Sequence, residues 1–185
     1  MEFQDSGHAP VMVVGRASSL SEAIAAACRD RGIAVVRHRL SAATTPNLPH
    51  DVTALDSAVA IVDADCVDSM FGGHHAARRR LRQCGDALCE AASTAALESG
   101  ARRVLVIGDA RGLSFGRGAR AERWLRDLAH RIGYEGSING LTGLVTSYAV
   151  VETDRQVRPI AEAVADWHRG EIPGGTTRLG AVAMR

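Results

Sequence analysis

Residues 101–129 read ARRVLVIGDARGLSFGRGARAERWLRDLA. Within them Arg103-Val104-Leu105-Val106-Ile107 is a short apolar run, led by two arginines and closed by Gly108. A run of that length, bounded by charge and glycine, suits a strand buried on both faces, as in the middle of a parallel sheet. Over residues 117–132, Ala121, Trp124, Leu125, Leu128, Ala129 and Ile132 recur at helical spacing. The stretch therefore predicts a buried strand, a turn and an amphipathic helix, the repeating unit of an α/β fold.

The flanking sequence repeats that grammar. Val11-Met12-Val13-Val14 predicts a first strand, and GRASSLS, residues 15–21, the turn after it. Ser18 or Ser19 is placed to cap a helix over 22–31, whose face carries Ala23, Ile24, Ala27 and Cys28 and which Gly32 stops. Ile33-Ala34-Val35-Val36 is the next expected strand, which makes one right-handed βαβ unit. Residues 41–54 read as loop, broken by Pro46 and Pro49. DSAVAIV, residues 56–62, is a further buried strand. A long helix is expected over 76–99, a turn into another strand at 134–141, and a helix over 158–167 with Pro159 near its first turn. A last turn and strand are expected over 172–180.

Composition narrows the function classes. The chain has 185 residues, 46% hydrophobic and 23% charged, enough for one domain over 1–185 with an ordinary core. A net charge of +1 gives no strong field toward nucleic acid or an acidic membrane. All 22 basic residues are arginine. The lack of lysine removes Schiff-base chemistry and a phosphate-loop ammonium. No apolar run is long enough to span a bilayer, and the polar, acidic MEFQDSGHAP, with residues 1–9 expected to be flexible, is unlike a secretion signal. Cys28, Cys66, Cys84 and Cys89 lack framework spacing, so reduced thiols and a cytoplasmic setting are expected.

At VMVVGRASSLSEAIAAACRDRGIAVV, residues 11–36, the chain resembles the opening of a short-chain dehydrogenase/reductase, whose fingerprint is TGxxxGxG. On that pattern Val14 stands at the threonine, Gly15 at the first glycine, and Ser19 and Ser21 at the second and third. The family glycines let the backbone approach a pyrophosphate, and serine at two of these places adds bulk there. RVLVIGDARGL, residues 103–113, is similar to the family's RIVNISSxxGL and puts Asp109 at the catalytic serine. Continuing the resemblance, Ser114 falls at the tyrosine and Gly118 at the lysine of YxxxK. Leu55-Asp56 matches the start of LDxLVNNAG, and Asn139 the asparagine of GIRVNAIxPG.

The resemblance implies a Rossmann-like doubly wound parallel sheet of about six or seven strands, trimmed between the family's second and fourth strands. It also implies vestigial cofactor and catalytic positions, with no cofactor bound by this chain. By analogy with heteromeric dehydrogenases for hydroxyacyl thioesters, including bacterial ones, the chain is expected to be a non-catalytic subunit beside an active sister chain that carries NAD(P). No nucleic acid or membrane partner is expected. The assembly surfaces implied are 76–99, 117–132 and 176–182, with Leu81, Leu88, Trp124, Leu128, Leu179 and Val182 as interface residues.

Other readings stay open. Asp109 and Ser114, with Asp63 or His130, are the candidates for an altered acid–base set. A nucleotide-sensing module would use the serines of the first turn at a helix N-terminus. Asp63 and Asp65 read first as acidic caps ahead of a helix and second as a carboxylate pair at a strand end. His74 and His75, with Cys66 or Cys84, are a minor zinc candidate that lacks any standard ligand spacing. Arg78, Arg79 and Arg80 read as a solvated helix face, with phosphate contact the lesser alternative.

Overall fold

The computed structural model describes residues 9–38, 55–73 and 78–171. Its five described strands are β1 (Val11–Val14), β2 (Val35–His38), β3 (Ser57–Val62), β4 (Arg103–Asp109) and β5 (Val145–Val151). All pair in parallel, in the order β2-β1-β3-β4-β5. This is a doubly wound, Rossmann-like sheet whose strand order reverses between β1 and β3. The described helices are α1 (Ser19–Asp30), α2 (Ala64–Phe71), α3 (Arg78–Ser99), α4 (Phe115–Ile138) and α5 (Asp154–His168).

Side chains alternate across the strands, so each strand feeds two cores. Val11, Val13, Val59, Ile61, Leu105 and Ile107 face α1 and α5, where Leu20, Ile24, Ile160, Val164 and Trp167 close over them. Met12, Val14, Ala58, Ala60, Val104 and Val106 face α2, α3 and α4, against Phe71, Leu88, Leu125 and Ile132. Helices on both faces explain why β3 and β4 read as continuous apolar runs rather than alternating ones. Close approach is built in with glycine. A Cβ on Gly108 would lie 2.3 Å from Leu125 Cδ1, so α4 crosses directly over the end of β4.

Several expectations need correction. The segment at 134–141 is not a turn into a strand: α4 runs on to Ile138, and the strand is Val145–Val151. Gly136, which suggests a turn, and Gly133 before it have another purpose. A Cβ on Gly133 would meet Thr146 at 3.1 Å, and one on Gly136 would meet Leu144 at 2.6 Å. The second strand begins at Val35 rather than Ile33. Pro159 lies inside α5, because that helix starts earlier, at a capping box of Thr153 and Gln156. Five strands are described where six or seven are expected; the last expected strand, over 172–180, and the loop at 41–54 lie outside the described residues.

Candidate functional site

In a sheet of this order the crevice lies beyond the C-terminal ends of the strands that flank the reversal, here β1 and β3. A cavity of about 420 Å³ occupies that place, toward α2 and α3. Gly15, Ile61 and Val62 line it at the strand ends. Gly15 follows β1 with φ 144°, and a Cβ there would lie 2.8 Å from the Ile61 carbonyl oxygen. Arg16, Asp63, Asp65, Ser69, Ala87 and Leu88 line the walls with two thiols, Cys66 and Cys84.

The thiols are set by helix geometry. Asp63 is the N-cap of α2, and its carboxylate accepts from the Cys66 backbone N–H at 2.9 Å. Cys66 thereby sits in the first turn of α2, where the helix dipole favours a thiolate. Cys84 comes from α3, and its Sγ lies 3.3 Å from Cys66 Sγ. The hydrogen bond from Cys84 pulls the Cys66 thiol below its ordinary range, against the opposing effects of burial and Asp63, with Arg16 adding to the pull. The same bond, burial and the neighbouring negative charge push Cys84 up.

Further along the strand ends, Asp109 closes β4 and is 2% exposed. Arg111 binds its carboxylate through Nε at 2.8 Å and through a second guanidinium nitrogen at 2.7 Å. The same guanidinium donates to Asp154 at 2.6 Å and to Ser19 Oγ at 3.0 Å. One side chain thus joins the end of β4 to the first residues of α1 and α5. A buried carboxylate gripped at both oxygens by one guanidinium is paired and held in place within the chain.

The first turn is equally self-contained. Ser18 caps α1, accepting from the Ser21 N–H at 3.1 Å, while Ser21 Oγ accepts from the Ser18 N–H at 2.8 Å. The structure therefore brings Ser19 and Asp109 to one arginine and folds Ser21 into a buried cap. Ser114 is the N-cap residue of α4, with its carbonyl accepting from Arg117 and Gly118, and Gly118 is buried in that helix. Asp63 is an N-cap, as its first reading has it, and His130 is exposed on α4.

The expected interface divides. Leu88 and Leu128 are 2% and 4% exposed, so the chain's own core takes them, a correction to their assignment as contact residues. Leu81 and Trp124 are partly exposed along a groove of about 270 Å³ between α3 and α4, and Trp124 packs edge-on to Phe71 at 6.0 Å. Leu179, Val182, His74 and His75 lie outside the described residues. Arg78, Arg79 and Arg80 are exposed at the start of α3. Among the described residues no three His, Cys, Asp or Glu side chains converge as a metal set, and no helix is long and apolar enough to cross a membrane.

Two features escape a reading of the sequence, the Cys66–Cys84 pair and the Arg111 bridge. Neither has a local signature, since the thiols are 18 positions apart on different helices and Arg111 spans 92 positions to Ser19. No protein-family model matches the chain, and a comparison with curated proteins likewise finds no match.

Proposed function

We propose that the chain is a non-catalytic, Rossmann-like subunit, related to the short-chain dehydrogenases/reductases, that assembles with an active NAD(P)-dependent sister chain in a dehydrogenase complex of the hydroxyacyl-CoA type. The observation that carries this reading is the Arg111 bridge. A dinucleotide in such a fold sets its pyrophosphate at the N-terminus of the first helix. Here that end is tied through Ser19 to Arg111, and Asp109 is paired with the same guanidinium. The Ser18–Ser21 cap uses two further polar groups of the turn. No lysine exists anywhere to lower a donor's pKa or hold a ribose.

Exposed apolar side chains on α4 support assembly. Phe115, Tyr134 and Ile138 are 92%, 69% and 65% exposed, on the helix that also carries Trp124. Tyr134 and Ile138 stand one turn apart near the C-terminal end of that helix, and Phe115 opens its N-terminal end, so two separate apolar spots are offered to a partner. The test has two arms. Calorimetric titration of the isolated chain with NAD⁺, NADH, NADP⁺ and NADPH is expected to give no saturable heat. Affinity purification from the native host is expected to recover a second dehydrogenase chain with intact TGxxxGxG and YxxxK motifs. Saturable dinucleotide binding, or a chain that purifies alone, overturns the proposal.

A further inference from the structure

We propose that Cys66 and Cys84 form a redox-active dithiol that reduces small organic disulfides entering the cavity between α2 and α3. The pair stands independently of the subunit reading above. The two sulfurs lie 3.3 Å apart, on separate helices, at the wall of a cavity of about 420 Å³ that opens at the strand reversal. Both are partly exposed, whereas Cys28 and Cys89 are buried. Only the first pair therefore combines access with mutual reach. A disulfide needs the sulfurs at about 2.0 Å, so the two side chains must move together from 3.3 Å to close it.

The environment divides the labour between them. Cys66 stands in the first turn of α2, where the helix N-terminus favours the anion, and Cys84 lies within reach to donate to it, so Cys66 is the attacking thiolate. Cys66 Sγ attacks one sulfur of the disulfide RS–SR; that S–S bond breaks, and RS⁻ leaves. A mixed disulfide, Cys66–S–SR, remains. The thiolate charge that held the proton on Cys84 is now gone. Cys84 releases its proton to solvent, where a departing thiolate takes it up, and its sulfur attacks Cys66 Sγ. The Cys66–Cys84 bond forms and the second RS⁻ leaves. Two cysteines are oxidised and one external disulfide is reduced to two thiols. The product cross-links α2 to α3 across the cavity wall.

The experiment treats the reduced full-length chain with glutathione disulfide under native conditions, then maps peptides by mass spectrometry without reduction. The expected result is a Cys66–Cys84 linked peptide with two glutathione molecules released per chain. Cys84→Ser is expected to stop at a stable glutathione adduct on Cys66, and Cys66→Ser to lose at least about tenfold in the rate at which Cys84 is modified. Wild-type mapping alone decides the matter if a variant fails to fold. A lasting adduct on Cys84 with Cys66 free, exchange at Cys28 or Cys89 ahead of this pair, or recovery of fully reduced chain after prolonged exposure overturns the proposal.

Discussion

At the start of the strands the buried His168 bridges the buried Ser57 and the half-buried Ala9 carbonyl, at 2.6 and 2.9 Å; at their far end two thiols face each other over a cavity. A carbonyl only accepts, so His168 Nε2 donates to Ala9, while Nδ1 shares a hydrogen bond with the Ser57 hydroxyl. Arg103 donates to the carbonyl of Trp167 at 2.7 Å and so finishes the C-terminus of α5 at the same edge. Every named polar group there has a specific partner and little solvent. A serine beside a histidine would attract attention in a cleft. Here Ser57 is 0% and His168 3% exposed, and the pair ties β3 to α5 rather than meeting a substrate. The opposite edge holds the helix N-termini, the cavity and the reactive sulfurs. Residue type alone does not separate structure from chemistry in this fold; access does.

His168→Leu tests that contrast hardest. It strands the buried Ser57 hydroxyl and removes the donor to the half-buried Ala9 carbonyl, and a loss of about 2–4 kcal/mol is expected in urea unfolding, at about 1–3 kcal/mol for the first group and about 1 kcal/mol for the second. Cys66 alkylation in the folded protein is expected to stay unchanged. A loss under about 0.5 kcal/mol would place the edge's stability elsewhere. Gly15→Ala comes next, at about 1–3 kcal/mol, because an unfavourable φ is combined with a backbone oxygen that cannot move aside. Thermal unfolding of this variant checks it.

A smaller effect follows pH. Burial raises Cys28 and Cys89 from the ordinary 9.0 to about 11. The unfolded thiols ionise first as pH climbs, so the stabilisation is fully present below pH 9.0 and is lost as pH passes through about 11. Urea midpoints measured from about pH 8 to about pH 11 are expected to fall steadily, and a flat profile would mean that these two thiols are open to water. The least effect belongs to the surface: Phe115→Ser is expected to change monomer stability by less than about 0.5 kcal/mol. By calorimetry, a larger loss would show that Phe115 packs within the chain rather than facing outward.

Much of the fold is legible because parallel strands covered on both faces must be apolar throughout. Val11–Val14 is readable to the residue, and the runs that form β3 and β4 agree within two positions at either end. Local chemistry misleads where tertiary contact overrides it. Gly136 suggests a turn, but it and Gly133 serve close packing of α4 against Leu144 and Thr146. The start of α5 is written in the spacing of Thr153 and Gln156, a capping box, whereas Pro159 points to a later start. The site is less legible. Gly15, Ser19, Ser21 and Asp109 can be placed at the strand ends, but the partners that define their state come from distant elements. A single sequence without pairing information carries no mark that Arg111 reaches Ser19 or that Cys66 meets Cys84.

The contact between Gly15 and the Ile61 carbonyl has an evolutionary consequence. A side chain at position 15 would run into that oxygen, so the hollow cannot be narrowed there without moving the backbone. Selectivity for one visitor over another must be tuned from the rim, where Ser69 and Ala87 are small and exposed. Bulkier replacements at those two positions would narrow the opening while leaving the sulfurs beneath in place, which makes them the natural handles for redesign.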